Sequence, residues 1–258
     1  MSEATGRQHP GENTRDRIRA TARTLLVGKG PEALTLRAIA RALQVTAPAL
    51  YRYYSSREEL VQHVCLDICA ELAEELLAAA IVVDESRPTV RLLRVCRGFR
   101  GWALAHPREF ELVFVAPVDL GADPITIGDE LEVSVRGGEP FGRVFLAVAV
   151  TVLTNTSLRA PAADSVPEAL RAELRAFRDS LPADPSGRTP EPATGQLDLG
   201  TVNFLLTFWV RLYGHVVLEV FRRFPLPVSN TEPLFEAMMA EQLAVLEEIE
   251  PPSPGRFP

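Results

Sequence analysis

Residues 35–57 read TLRAIARALQVTAPALYRYYSSR, and their spacing decides the architecture. Leu36, Ile39, Ala40 and Leu43 fall at i, i+3, i+4 and i+7, which predicts one apolar stripe on a short helix opened by a Thr35 cap. A tight turn at Gln44-Val45 follows. Thr46 is placed to cap a second helix, with Pro48 in its first turn, where a missing N–H costs nothing. Val45 before that cap and Leu50 after it have the spacing of a hydrophobic staple. Ser55 with Glu58 has capping-box spacing and opens a longer helix along Leu60, Val61, Val64, Ile68 and Leu72. Two short helices joined by a turn, the second carrying aromatic and basic side chains, form a device for presenting residues to a DNA major groove.

Upstream lie a helix with Ile18, Ala22, Leu25 and Leu26 and a Gly28-Lys29-Gly30 break. Downstream of Leu50-Tyr51 comes Ser56-Arg57-Glu58-Glu59-Leu60. As an ordered set, the segment from Arg15 to Leu60 resembles the N-terminal domain of TetR-type transcriptional regulators. Leu43-Gln44 stand where those proteins usually carry Ala-Gly, so Gln44 must take a turn conformation that glycine takes more easily, at a cost of ~1 kcal/mol. Arg57 replaces the usual Lys. The resemblance implies an all-α fold, with a three-helix helix-turn-helix domain over residues 13–60 and a helical-bundle effector-binding and dimerisation domain over 61–250. It also implies that Ala47, Pro48 and Ala49 approach bases, that Arg52 donates to guanine, and that Tyr51 and Arg57 hold phosphates, with Thr46 and Tyr53 completing the DNA-facing set. Thr35 and Arg37, at the start of the positioning helix, suit a phosphate.

Charge agrees with a confined nucleic-acid footprint. Residues 1–63 hold ten Arg or Lys against six Asp or Glu, a balance of +4, whereas the whole chain of 258 residues stands at −7. Overall acidity argues against diffuse binding through the entire surface, because non-specific affinity comes from Lys and Arg neutralising phosphates. The length allows a sizeable core and more than one unit. No signal sequence opens the chain, and no apolar run reaches the roughly 18 residues that span a membrane, so a soluble, cytoplasmic protein is expected. Cys65, Cys69 and Cys96 form no CxxC and have no neighbouring His pair, which suggests neither a disulfide framework nor a metal site. No cofactor is expected.

The remainder reads as helices over residues 56–80, 89–105, 107–115, 141–156, 167–180, 199–224 and 233–249, broken by Pro, Gly and Asp clusters. An alternating stretch at Leu131 to Val135 is extended in pattern but lacks a second strand to pair with, and residues 182–195 read as a loop. His106 to Phe114 looks like the helix junction of many TetR-type effector domains. Trp209-Val210-Arg211-Leu212-Tyr213-Gly214-His215-Val216-Val217-Leu218-Glu219 is similar to the signature of the WHG C-terminal subfamily, with Tyr213 where that pattern has His.

Two jobs follow for this body. A helix-turn-helix reads two half-sites as a two-fold dimer, and the resemblance places the interface on the last two helices. Val202, Leu205, Leu206, Trp209, Leu212, Val216, Val217 and Val220 supply a broad stripe there, although such a stripe serves equally as intramolecular core. For sensing, Phe99, Trp102, Phe110, Phe114, Phe145, Phe204, Phe208, Trp209 and Tyr213 are the candidate lining of a small-molecule pocket, with Arg100, Asn155, Asn203 and His215 as candidate polar members. These too can be core. No Ser-His-Asp order, phosphate loop or metal cluster argues for an enzyme, and Glu74-Glu75 point to different faces of a helix. The expected function is a ligand-responsive regulator, a repressor rather than an activator, that binds a palindromic operator as a homodimer and is released by a small apolar or amphipathic molecule. The alternative is a helical protein–protein module with no DNA-regulatory role.

Overall fold

The first helix, α1 (Pro10–Lys29), forms where Ile18, Ala22 and Leu26 recur every fourth residue, and all three are fully buried. Gly28 and Lys29 continue it, so the expected three-residue break narrows to Gly30, whose φ of 86° favours glycine. The computed structural model describes residues 10–81, 88–115, 125–127, 131–133, 158–159, 163–179 and 198–248. Within these, α2 (Leu36–Leu43), α3 (Ala47–Leu50), α4 (Arg57–Ile81), α5 (Pro88–Ala105), α6 (Pro107–Phe110), α7 (Arg171–Asp179), α8 (Leu199–Val220) and α9 (Glu232–Leu243) follow in order. The fold is all-α. Its described strands are short pairs: β1 (Ile125–Ile127) antiparallel to β2 (Leu131–Val133), and β3 (Leu158–Arg159) antiparallel to β4 (Glu247–Glu248).

Several expected boundaries move, each for a local reason. The stretch at Leu131 does find a partner, in Ile125–Ile127, which its sequence neighbours did not advertise. The last helix stops at Leu243, not Ile249, because Glu247 and Glu248 leave to pair with β3. The helix expected through residue 115 is α-helical only to Phe110 and then widens to a π turn over Glu111–Val115. The 167–180 helix opens as a 3-10 turn, Glu168–Leu170, before α7. The capping box of α4 sits one residue later than Ser55/Glu58: Ser56 Oγ accepts from the Glu59 N–H at 3.0 Å, and the Glu59 carboxylate accepts from Ser55 N–H and Oγ at 2.5 and 2.6 Å. The expected 141–156 helix and 182–195 loop lie outside the described residues.

The chain divides into two compact units, cut within α4 between Ile68 and Cys69 and again between Pro107 and Arg108. In the first, α1, α2, α3 and the start of α4 close over Leu26, Leu34, Leu36, Ile39, Leu50 and Tyr54. In the second, α5 buries Leu92, Val95, Phe99 and Ala103, and α8 buries Val202, Leu205, Phe208, Leu212 and Val216, positions three or four apart on one face. Asp198 caps α8 by accepting from Thr201 N–H at 2.8 Å. With 22 residues and a mean hydropathy of 1.2, α8 meets the length and composition of a membrane span, a test that the core helix of a soluble protein also passes. It carries an exposed Arg211 and a buried, ion-paired Glu219.

Candidate nucleic-acid interface

The helix-turn-helix is built from two caps and one unusual turn. Thr35 Oγ1 accepts from Ala38 N–H at 3.2 Å and starts α2. At its far end, Val45 N–H donates to Ala40 O at 2.9 Å and Gln44 N–H to Arg41 O at 3.2 Å, the paired bonds of a Schellman closure. Gln44 sits at φ 59°, ψ 35°, the left-handed conformation its place in the turn demands. Beyond it Thr46 is extended at φ −80°, ψ 146°, yet its side chain makes no capping bond. Pro48 has no N–H to offer, and Ala49 N–H already donates to Thr46 O at 3.0 Å. Val45 is 44% exposed, so the expected staple is not closed over it. Regular α-helical bonding ends at Leu50, and a turn carries the chain through Tyr53 to a buried Tyr54.

This leaves a well-defined outer surface. Arg37 and Arg41, four apart on one face of α2, and Arg52 are exposed and make no hydrogen bond or ion pair among the described residues. Tyr51 is 57% exposed, and Thr46 and Pro48 are also exposed, with Ala47, Ala49 and Tyr53 half-buried. Arg57 is used differently. Its Nε donates to Leu34 O at 2.6 Å and its Nη2 to Pro31 O at 3.3 Å, so it holds the α1–α2 connection. Exposed guanidiniums beside a helix-turn-helix suit phosphates and guanine edges, because each presents forked donors that no carboxylate among the described residues neutralises.

The described aromatic residues singled out for sensing belong to both units. Phe110 and Phe114 stack at 4.6 Å in the first unit. In the second, Phe99 lies 5.5 Å from Trp209, Trp209 stacks on Tyr213 at 5.4 Å, Trp102 stacks on His106 at 5.2 Å, and Phe204 lies 5.5 Å from Phe208. Phe145 and Asn155 are outside the described residues. Arg100 is taken by Glu219, in a forked pair with Nε–Oε2 at 2.8 Å and Nη2–Oε1 at 2.7 Å. His215 is buried between the Phe224 and Phe235 rings, 5.3 and 5.5 Å away, and its Nε2, 3.6 Å from Glu219 Oε2, has no hydrogen-bond partner among the described residues. Asn203 is half-buried on α8.

Against this geometry stand two family matches. Residues 18–64 match the bacterial regulatory proteins of the tetR family, and residues 92–242, more than half of the chain, match the tetracyclin repressor-like C-terminal domain. The chain belongs to the TetR family of transcriptional regulators. It is 28% identical over 246 residues to the HTH-type transcriptional regulators Mb1846 of Mycobacterium bovis and Rv1816 of Mycobacterium tuberculosis, covering 94% of this chain and 96% of each of theirs. The solved regulatory protein SCO4313 is 26% identical, with a TM-score of 0.61 over 93% of this chain and all of that one.

Other residues that build this TetR-family chain were not singled out by its sequence. Tyr54 is 1% exposed and meets His63 edge-on at 5.4 Å. Arg19 reaches Tyr54, Asp16 and Asp67 at once. Arg23 pairs with the buried Glu109, and Arg108 Nη1 donates to Val27 O at 2.6 Å, which fastens the segment after α5 to α1. Glu219 alone carried a visible signal, as the one carboxylate in the apolar α8.

Proposed function

We propose that this regulator is a cytoplasmic, ligand-responsive repressor that binds a palindromic operator as a homodimer and leaves it when a small apolar or amphipathic effector binds the second unit. The observation that supports this reading best is the exposed set Arg37, Arg41, Tyr51 and Arg52 around the helix-turn-helix, whose three guanidiniums have no ion-pair partner among the described residues. Arg52 reads a guanine and Arg37 holds a phosphate. Thr46, freed from capping, and the small side chains of Ala47, Pro48 and Ala49 let the turn approach base edges. Arg57 keeps a structural duty beside any phosphate contact, since two of its nitrogens already face carbonyls.

A second copy is the partner that suits the outer face of α8. Leu206, Val210 and Leu218 recur at four and eight residues and are 36%, 60% and 36% exposed, and Leu234 of α9 is 46% exposed. Leu205 and Val216, on the opposite face, are core of the monomer at 2% and 0%. Selection from randomised duplexes should enrich an inverted repeat whose half-sites lie roughly 34–36 Å apart, one turn of DNA. Arg52→Ala should relax one position of that repeat by roughly 1–3 kcal/mol, whereas Arg37→Ala should weaken all sites alike and lower the salt slope by about one. Val210→Asp should give a folded monomer that binds the repeat poorly. An unselected pool, or a monomeric parent protein on the operator, overturns the reading. Trp102 and Trp209, 6% and 8% exposed, report effector binding by fluorescence, and a molecule that quenches them without changing operator affinity is not the effector.

A further inference from the structure

One guanidinium on α1 of the first unit reaches a neighbour on its own helix and two further pieces of chain. Arg19 Nε donates to Asp67 Oδ2 of α4 at 2.5 Å, its Nη2 to Asp16 Oδ1 of α1 at 2.7 Å, and its Nη1 to the Tyr54 hydroxyl at 3.4 Å. Its side chain is only 22% exposed, so this arginine is held within the unit while Arg37, Arg41 and Arg52 stay free at the surface.

Tyr54 closes the reading segment. Its N–H donates to Leu50 O at 3.0 Å, and it follows Arg52 by two residues and Tyr51 by three. A four-residue helix such as α3 cannot hold its own orientation, because helices this short are not stable alone. Its pose therefore depends on its buried anchors, Leu50 at 2% exposed and Tyr54 at 1%. Leu50 contributes non-directional packing, which resists withdrawal from the core but tolerates rotation about the segment axis. The Tyr54 hydroxyl adds a directional bond, and Arg19 fixes the far end of that bond to α4 through Asp67 and to α1 through Asp16.

We propose that Arg19 is a positioning residue that sets the rotation of the reading segment, and with it the base selectivity, without itself touching DNA. The proposal rests on the DNA-binding reading above. Because Arg19 neutralises a carboxylate rather than a phosphate, its loss should change discrimination between bases and leave the salt dependence of binding as it was.

The test is a set of full-length proteins: the parent, Arg19→Met, which keeps the aliphatic stem, and Tyr54→Phe, which keeps the ring and removes only the hydroxyl. Each is melted to verify folding, then titrated against the selected operator and its single base-pair variants at several salt concentrations. The expected result is that both substitutions shrink the discrimination ratio by about ten-fold at the position read by Arg52, with parallel salt slopes. In the double variant the loss should not be the sum of the two. Discrimination unchanged in folded Arg19→Met or Tyr54→Phe overturns the proposal. So does a salt slope lowered by about one with selectivity intact, which makes Arg19 a phosphate ligand. Should Arg19→Met fail to fold, Tyr54→Phe alone decides. If the parent enriches no sequence from the randomised pool, it is the DNA-binding reading that fails, an outcome distinct from a selective parent whose variants keep its preference.

Discussion

Each unit of this protein buries a carboxylate against an arginine, but the two pairs are finished differently. In the second unit, Arg100 forks onto both oxygens of Glu219, Thr231 Oγ1 donates to the same carboxylate, and the guanidinium lies 5.1 Å from the centre of the Phe235 ring. Every acceptor of Glu219 is taken, and α5, α8 and the start of α9 are tied together. In the first unit, Arg23 Nε donates to Glu109 Oε1, while Oε2 is buried with no hydrogen-bond partner among the described residues. A buried polar network stabilises when every member is satisfied, and an orphan oxygen costs roughly 1–3 kcal/mol. Glu219 is therefore held on both oxygens, whereas Glu109 is held on one, where the segment after α5 meets α1.

The same change made in both pairs should give the largest effect and the sharpest contrast. Glu219→Gln places an amide NH2 against Arg100 or Thr231 whichever way it turns, and leaves a largely buried guanidinium without its counter-charge. The expected loss is about 3–5 kcal/mol, as for other buried pairs broken on one side. Glu109→Gln keeps an oxygen toward Arg23 and puts the NH2 where Oε2 already had no partner. Arg23 is 28% exposed and reaches water, so the expected loss is about 1 kcal/mol. Urea unfolding of both variants with fitted slopes measures the difference. Equal losses would mean that the two junctions are energetically alike.

Acid should act on the second junction first. Burial pushes the His215 imidazole below its ordinary value of 6.5, and although Glu219 pulls the other way, Arg100 adds to the lowering. Glu219 is pushed up by burial, but the bonds from Arg100 and Thr231 outweigh this and hold it below the usual 4.5. For a lowered histidine the unfolded chain binds the proton first, so stability declines as pH falls below about 6.5 toward the folded value. The lowered Glu219 contributes stability that is present above 4.5 and is lost only as pH falls through its folded value. His215→Phe should flatten the upper part of the acid limb and leave the lower part. Thermal melts between pH 7 and 5 check this, and an unchanged slope there would remove His215 from the account.

The helix-turn-helix was readable because its determinants are local. The Thr35 cap, the stripe from Leu36 to Leu43 and the strained Gln44 all lie within one short window, where spacing alone carries the information. Adjacent serines made the α4 cap ambiguous by one residue, and the bond from Glu59 N–H to Ser56 Oγ resolves it. Long-range partners left no periodicity to read. Arg19 and Asp67 are 48 residues apart, Arg23 and Glu109 86, and Arg100 and Glu219 119, so composition showed the charges but not their pairing. The structural bonds of Arg57 left no local signal for the same reason, since its carbonyl partners lie 23 and 26 residues upstream. On α8 two apolar stripes overlap, one buried and one exposed, and a single sequence pattern cannot say which residues belong to which.

The smallest expected effects compare the two units at their helix ends. Gln44 after α2 and Arg222 after α8 are the non-glycine residues with positive φ among the described residues, at 59° and 54°. Both close Schellman turns: Arg223 N–H donates to Leu218 O at 2.7 Å and Arg222 N–H to Glu219 O at 3.1 Å, as Val45 and Gln44 do after α2. Glycine relieves the clash between Cβ and carbonyl oxygen but adds freedom to the unfolded chain, so the net gain from either Gln44→Gly or Arg222→Gly should be about 0.5–1 kcal/mol. The two should then part company in function. Arg222→Gly should leave operator affinity alone, since it lies in the second unit. Gln44→Gly sits two residues before Thr46 and loosens the angle at which the reading segment leaves α2, so it should raise the urea midpoint while slightly weakening operator binding. A Gln44→Gly protein that is less stable than its parent would show that the Gln44 side chain contributes more than its backbone conformation costs.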